Sequence, residues 1–219
     1  PETLALTALL ALLQATGPLS TDIYLPSLPS IAEAFDASPA SVQLTLSVFL
    51  AGFAVGQIVY GPVSDRIGRR PTLVAGLALF VAGSVACALA TSVEILILAR
   101  FVQAIGGAGP VVLSRAIVRD LYEGDRAGTE LARMGSIMGL VPMLGPVIGG
   151  VLEVTFGWRA SFGFVVAVGA GTLAAVALLL PETAPGRPGA APSPPAVLRA
   201  FRPLLAVAGY RTNVAVVCL

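Results

Sequence analysis

Two charged residues lie in or at the end of otherwise apolar runs, and one of them, a carboxylate, could bind and release a proton. Asp22 ends the first apolar run, and Arg100 lies inside the fourth, with Gln103 one turn further on. The chain has no histidine, so any proton transfer must fall to carboxylates. A poorly solvated carboxylate binds its proton more tightly than one in water, which makes Asp22 a candidate proton-binding group. The alternative is that Asp22 only marks the outer end of a helix.

An arginine within a membrane-length helix needs a cavity, a polar partner or a route to the surface. Its insertion near the centre of a helix costs about 2.5–3.5 kcal/mol. Counted from Glu94, Arg100 lies about 9 Å into its helix at about 1.5 Å per residue. The side chain could therefore also extend outward to the interface, and the sequence leaves both possibilities open.

The composition is typical of a membrane protein. The chain is 56% hydrophobic and 11% charged, whereas soluble domains carry about 25% charged residues. Its mean hydropathy is +0.90, and its net charge of +1 gives no field to attract nucleic acid. We therefore predict an all-α protein embedded in the lipid bilayer. Its apolar runs approach the length that spans a membrane and cover residues 4–21, 42–60, 72–91, 95–118, 134–154 and 161–180.

The distribution of arginine predicts the orientation of these spans. The charged turn after the second run carries 3 arginines, a predicted loop at residues 115–133 carries 4, and the segment after the sixth run carries 4, which is 11 of the 13 basic residues. Short loops rich in arginine stay on the cytoplasmic side of the membrane. We therefore expect a multi-pass protein of the inner (cytoplasmic) membrane with a cytoplasmic N-terminus.

The turn between the second and third runs concentrates charge in the sequence GPVSDRIGRRP, residues 61–71. It resembles the signature loop of the major facilitator superfamily, although a topology signal alone is the alternative. Glycines permit close approach and unusual backbone angles, and an aspartate there can cap a helix or pair with an arginine. The resemblance implies a latch between two halves of a transporter on the cytoplasmic side, formed by Gly61, Asp65, Arg66, Gly68, Arg69, Arg70 and Asp120.

The fifth run contains more glycine and proline than a regular helix tolerates well. Close helix packing alone would explain part of this pattern. The pattern also resembles the antiporter motif of exporters in the same superfamily, which favours efflux over uptake. The residues concerned are Gly139, Pro142, Gly145, Pro146, Gly149 and Gly150.

The exit of the first run, residues 21–29, resembles the Bcr/CflA group of drug/proton antiporters. Residues 100–107 resemble the fourth-helix motif of the superfamily, whose arginine is linked to proton coupling. Some relatives carry a further acid deeper in the first helix, where this chain has Gln14, and this difference argues against strongly cationic substrates. The implied proton-coupling and substrate-cavity residues are Asp22, Arg100, Gln103, Gln14 and Tyr24.

Together these features predict half of a twelve-helix transporter. Residues 1–181 would form its N-terminal six-helix bundle, built as two inverted three-helix repeats. Residues 182–212 would be a cytoplasmic, proline-rich linker with a possible surface helix, and residues 213–219 would begin a truncated seventh span. The missing C-terminal half would be the principal protein partner.

The predicted function is proton-coupled efflux of small, amphipathic, drug-like molecules. Export of a native metabolite, such as an amino acid or a sugar, is the alternative within the same fold. A non-transporting six-helix membrane subunit is the alternative from another class. We see no nucleophile paired with a base, no metal-ligand cluster and no cofactor loop, so we expect no enzyme, cofactor or metal.

Overall fold

The computed structural model describes residues 4–184, which are almost entirely helical. The predicted linker beyond residue 184 and the predicted start of a seventh span lie outside the described residues. A short 3-10 helix, Leu25–Ser27, connects the first two helices. The α-helices are α1 (Leu4–Asp22), α2 (Leu28–Ala34), α3 (Pro39–Ile67), α4 (Arg69–Ala88), α5 (Val93–Leu121), α6 (Gly124–Met138), α7 (Val141–Phe156) and α8 (Trp158–Leu179).

Helix α5 lies at the centre of the bundle. It packs against α1, α3 and α4, and a larger share of it is buried than of any other candidate span among the described residues. Gly52 and Gly56 bring α3 close to it, because a Cβ at these positions would lie 2.8 Å from the Phe101 carbonyl oxygen and 2.6 Å from the Ala108 Cβ. Small residues spaced in this way allow membrane helices to approach closely.

Five helical segments of the described chain are long and apolar enough to cross a membrane: α3, α4, α5, α8 and the α6–α7 pair. Helix α1, which the sequence predicts as the first span, is not among them. It is 19 residues long, and Pro18 lies within it. It nevertheless packs against α5, α6, α7 and α8, so it forms the sixth member of the bundle.

The predicted charged loops are largely helical. Helix α3 continues to Ile67 and α4 begins at Arg69, so Gly68 alone separates them. The loop predicted at residues 115–133 is wrong, because α5 extends to Leu121 and α6 starts at Gly124. Arginine and glutamate favour helix, so these helices continue beyond the apolar part of their sequence.

The predicted fifth span is two helices in succession. Helix α6 ends at Met138 and α7 begins at Val141, and together they extend over 33 residues. The break lies just before Pro142, which occupies the first turn of α7. A proline has no backbone N–H to donate to the preceding turn, so it is tolerated at the start of a helix and disrupts its interior.

Side-chain contacts define two ends of the bundle. At one end, which we call the arginine-rich end, Arg69 at the start of α4 pairs with Asp120 near the end of α5. At the other end, which we call the opposite end, Phe35 packs edge-on against Trp158 at the start of α8. The apolar core between them forms two clusters of buried side chains, one towards each end.

Candidate proton-coupling site and arginine latch

Arg100 lies fully buried in the bundle, with none of its side chain exposed. Three aromatic rings surround its guanidinium group. The guanidinium carbon is 4.2 Å from the centroid of the Phe49 ring, 4.6 Å from that of Tyr24 and 5.9 Å from that of Phe162. A desolvated cation over an aromatic face gains about 2 kcal/mol or more. Of the two possibilities that the sequence left open, Arg100 therefore points into the bundle.

Gln103 links Arg100 to the neighbouring helix α4. Arg100 Nη1 donates a hydrogen bond to Gln103 Oε1 (2.7 Å), and Gln103 Nε2 donates to Ser84 Oγ (2.8 Å). Ser84 Oγ in turn donates to the Phe80 carbonyl oxygen (2.7 Å). This series of hydrogen bonds fixes the orientation of the Gln103 side-chain amide, with its oxygen towards the guanidinium group.

The guanidinium group has fewer partners than its donors require. Nη1 also contacts the Ser20 carbonyl oxygen in the last turn of α1 (3.4 Å), but Nε and Nη2 are buried and have no hydrogen-bond partner among residues 4–184. No ion pair among residues 4–184 includes Arg100. A buried charge is normally paired, so the site carries a positive charge that this part of the chain does not neutralise.

A hydrogen bond to Thr45 of α3 holds the Tyr24 side chain in place. Its hydroxyl oxygen lies 2.7 Å from Thr45 Oγ1, and Thr45 Oγ1 lies 2.5 Å from the Val42 carbonyl oxygen. Because the threonine hydrogen is directed to the carbonyl group, the tyrosine hydroxyl donates to Thr45. This leaves the face of the Tyr24 ring available to Arg100.

Asp22 is the last residue of α1 and is half-buried. Within the described residues it forms no hydrogen bond or ion pair through its carboxylate, so the structure does not pair it with Arg100. Helix α7 passes close to it: a Cβ at Gly145 would lie 2.6 Å from the Asp22 Cβ, and one at Gly149 would lie 2.2 Å from the Ile23 carbonyl oxygen. Two glycines of the predicted antiporter motif therefore allow α7 to pack directly on the end of α1.

The other motif glycines have no such neighbour. Gly150 has open space around it, and the nearest atoms to Gly139 are carbonyl oxygens of its own helix at 3.4 Å and beyond. Pro142 begins α7, and Pro146 lies within it. The motif thus has a packing face at Gly145 and Gly149 and a helix break near Gly139.

Gln14 is buried but lies apart from Arg100. Its Nε2 contacts the Met138 sulfur of α6 (3.1 Å), and no other side-chain partner of Gln14 is present among the described residues. The structure therefore brings Tyr24, Arg100 and Gln103 together and places Gln14 at the junction of α1 with α6.

The latch residues of the charged turn meet around Arg69. Arg69 Nε donates to Asp120 Oδ2 (2.8 Å), and its Nη1 donates to Asp65 Oδ1 (2.5 Å) and Ser64 Oγ (2.5 Å). The Asp65 side chain is 65% exposed and that of Asp120 is 22% exposed. Exposed ion pairs contribute little to stability, so Asp120 is the stronger of the two partners.

The remaining latch residues have different surroundings. Arg70 Nη2 donates to the Ala177 carbonyl oxygen of α8 (2.5 Å). Arg66 forms no hydrogen bond or ion pair with the described residues. Gly61 lies within α3 with no atom close to it, so the close approach expected there is absent, whereas Gly68 has a φ of +102° and adjoins Glu182.

Glu182 has a role that sequence reasoning did not assign. Its two carboxylate oxygens accept hydrogen bonds from the backbone N–H groups of Arg69 (2.9 Å) and Arg70 (3.1 Å), at the start of α4. A carboxylate at a helix N-terminus satisfies free N–H groups and the helix dipole. It ties the end of α8 to the arginine-rich turn.

Replacing Gly68 by Ala is expected to destabilise the protein by about 1–3 kcal/mol, because a non-glycine residue is strained in this backbone region. The new Cβ would also lie 2.6 Å from Glu182 Oε2. The measurement is the thermal unfolding midpoint of the purified full-length protein. Gly61→Ala is the matched control in the same motif and should raise the midpoint slightly, since alanine favours helix by up to about 1 kcal/mol. A Gly68→Ala midpoint at or above that of the parent would contradict the expectation.

A bundle of membrane-length helices places the protein among the helical membrane proteins. The family model of the Major Facilitator Superfamily matches residues 10–218, and the chain belongs to that superfamily. It is thus part of a transporter and not an enzyme. The predicted fold class, an all-α membrane protein with an N-terminal six-helix bundle of this superfamily, is confirmed.

Curated relatives include proteins named for drug resistance. The chain is 38% identical to the chloramphenicol resistance protein of Pseudomonas aeruginosa over 73% of its length and 38% of the relative. It is 34% identical to multidrug resistance protein D of Escherichia coli over 81% of its length and 45% of the relative. An uncharacterized MFS-type transporter of Bacillus subtilis is 40% identical over 84% of the chain and 46% of the relative. The chain thus spans about half the length, or less, of these relatives.

Solved structures show the same fold. The human organic anion transporter is 22% identical, with a TM-score of 0.66 over 81% of this chain and 47% of that one. A peptide transporter in complex with sulfate is 18% identical, with a TM-score of 0.73 over 97% of this chain and 45% of that one. At these identities the likeness is one of fold alone.

Proposed function

We propose that this chain is the N-terminal half of a proton-coupled exporter of small, amphipathic, drug-like molecules. The names of two relatives support this proposal, since one is a chloramphenicol resistance protein and the other a multidrug resistance protein. The relatives are about twice as long as this chain or longer. A second half of similar size would complete the substrate cavity. The substrate would bind between the halves, which expose it to each side of the membrane in turn.

The observation that carries the proposal is the buried Arg100, whose positive charge no carboxylate of residues 4–184 neutralises. Arginine stays charged at every physiological pH, so the site has a fixed charge. Asp22 lies two residues beyond the Ser20 carbonyl group that contacts Arg100. Its ionised form would add a negative charge at the end of α1, close to the turn that contacts Arg100, and its protonated form would not. A proton at Asp22 therefore changes the net charge of the site.

Proton and drug would compete through this change. Each would favour a different orientation of the two halves, because a ligand shifts a conformational equilibrium only by its difference in affinity between the states. Gly145 and Gly149 place α7 against Asp22 and Ile23 without intervening side chains. Movement of α7 would then alter the access of water to Asp22, which gives the antiporter motif a physical role.

The protein would lie in the inner membrane of the cell. Its arginine-rich end would face the cytoplasm, in keeping with the positive-inside rule. The cluster of Asp65, Arg69 and Asp120 would then hold the two halves together on that side. Lipid would contact the exposed apolar residues of α7, such as Met143, Val147 and Val154.

The test is expression of the full-length protein in a drug-sensitive bacterial strain, with drug accumulation followed with and without a protonophore. We expect lower accumulation and raised resistance to at least one amphipathic drug, both reversed when the protonophore removes the proton gradient. Depletion of a cellular amino acid or sugar pool without any resistance would replace the proposal by metabolite export. Export that persists without a proton gradient would refute proton coupling.

A further inference from the structure

A second carboxyl group, Glu153, lies near the end of α7 and takes no part in the site around Arg100. Its Oε1 is 2.5 Å from Ser30 Oγ of α2. Its Oε2 is buried and has no hydrogen-bond partner in the described part of the chain. An ionised carboxylate with a buried, unpaired oxygen is costly, and such groups commonly become neutral instead.

The number of hydroxyl hydrogens available to these contacts indicates which protonation state of Glu153 fits them. Ser30 has one hydroxyl hydrogen, yet its Oγ lies within hydrogen-bonding distance of two oxygens, the Ser27 carbonyl oxygen (3.0 Å) and Glu153 Oε1 (2.5 Å). If Glu153 were ionised, both oxygens would be acceptors, and only one could receive the hydrogen. If Glu153 carries a proton on Oε1, it donates to Ser30 and Ser30 donates to Ser27. Both contacts are then hydrogen bonds, and Oε2 becomes a neutral carbonyl oxygen.

An ionised Glu153 would have no ion-pair partner among the described residues. The helices at this end of the bundle carry Asp22 on α1, Glu33 on α2 and Arg159 on α8. Arg159 donates to the Ala90 carbonyl oxygen (3.1 Å), and its guanidinium carbon lies 4.1 Å from the centroid of the Trp158 ring. No ion pair within residues 4–184 includes Glu153.

We propose that Glu153 is a proton-binding site at the opposite end of the bundle and that it carries a proton in this conformation. It lies on the seam between α7 and the end of α1. Gly145, Gly149 and Glu153 follow one another at four-residue intervals and meet Asp22, Ile23 and Ser30 in turn. At about 1.5 Å per residue, Glu153 is about 12 Å along α7 from the level of Asp22. The proposal goes beyond proton-coupled export, because it follows from hydrogen-bond geometry and holds whatever the protein transports.

Infrared difference spectroscopy of the purified full-length protein tests this directly. At neutral pH, where exposed carboxylates are ionised, we expect the carbonyl stretch of a carboxylic acid that Glu153→Gln removes. The glutamine amide can donate to Ser30 as the acid does, so this variant should fold. Glu33→Gln, an exposed glutamate on the adjoining α2, is the matched control and should leave the band unchanged.

Ser30→Ala provides a second test that leaves the carboxyl group in place. Loss of the hydrogen-bond acceptor should move the Glu153 band to higher frequency without abolishing it. A parent spectrum without the band, or a band that persists in Glu153→Gln, would overturn the proposal, and so would a band that Ser30→Ala leaves unshifted. Either result would leave proton-coupled export untouched, because that function is measured separately by drug efflux.

Discussion

Replacing Arg100 by Met is expected to abolish drug-dependent proton exchange in the full-length transporter while leaving its thermal stability close to that of the parent or above it. The two effects separate because the guanidinium group is completely buried and two of its nitrogens have no partner. Substitution of a buried charged group by a well-packed apolar residue is often neutral or stabilising by about 1–4 kcal/mol. Gln103 loses a donor, which costs about 1–3 kcal/mol in the opposite direction.

The measurements are drug-driven proton flux and the unfolding midpoint, both on the same preparation. Arg115→Met, an exposed position on the same helix, is the matched control and should retain flux. Arg100→Lys keeps the charge but not the planar group that lies over the Phe49 and Tyr24 rings, so we expect it to have intermediate flux. Full flux in Arg100→Met would show that the arginine serves packing alone.

Replacing Gly149 by Ala is expected to destabilise the protein more than the addition of a methyl group at any other glycine of α7. The added Cβ would lie 2.2 Å from the Ile23 carbonyl oxygen and 2.9 Å from its carbonyl carbon. These are backbone atoms, so α7 and the end of α1 would have to separate. Forced separation of packed elements costs about 1–3 kcal/mol, and it would displace Asp22, so we expect a lower unfolding midpoint together with reduced drug efflux.

Gly150→Ala is the control, since Gly150 is the next residue on the same helix and has nothing within 4 Å. It should keep efflux and either preserve or raise the midpoint, because alanine is favoured over glycine in a helix interior by up to about 1 kcal/mol. Equal midpoints for the two variants would mean that α7 does not pack against α1 as the structure has it.

The membrane fold could be predicted from sequence because hydrophobic runs and arginine-rich loops report directly on the bilayer. The helix limits could not, since an apolar run ends where charge begins, whereas α3 and α5 continue through residues such as Arg66 and Arg119. Helix α6 illustrates the same point. Most of its first half is charged or polar, and this masked its continuity with the fifth span.

The candidate site was partly visible in the sequence. Arg100 and Gln103 stood out because polar residues are rare inside apolar runs, and Tyr24 because residues 21–29 resemble a drug/proton antiporter group. Phe49 and Phe162 did not, because an aromatic residue in an apolar helix carries no signal of which neighbour it faces. The positions of two glycines could have indicated the orientation of Phe49. Gly52 and Gly56 identify the side of α3 that packs on α5, and Phe49 lies one turn from Gly52 on that side.

Glu153 and Glu182 show where sequence reasoning stops. Both lie near the ends of spans, where a carboxylate is usually solvated. Only the three-dimensional contacts distinguish them, since Glu153 has a buried oxygen and Glu182 binds two backbone N–H groups of α4. Neither contact follows from spacing along the chain.

The most direct measurement of the central claim uses everted membrane vesicles that contain the full-length protein and hold an inside-acid pH gradient. Candidate drugs are added to vesicles with the parent and with Asp22→Asn, and dissipation of the gradient is recorded. The account predicts that at least one drug dissipates the gradient with the parent and that Asp22→Asn, which removes the titrating group at the end of α1, abolishes this effect. Drug-triggered dissipation of equal size in Asp22→Asn would contradict the role of Asp22, and no dissipation by any drug with the parent would contradict proton-coupled export itself.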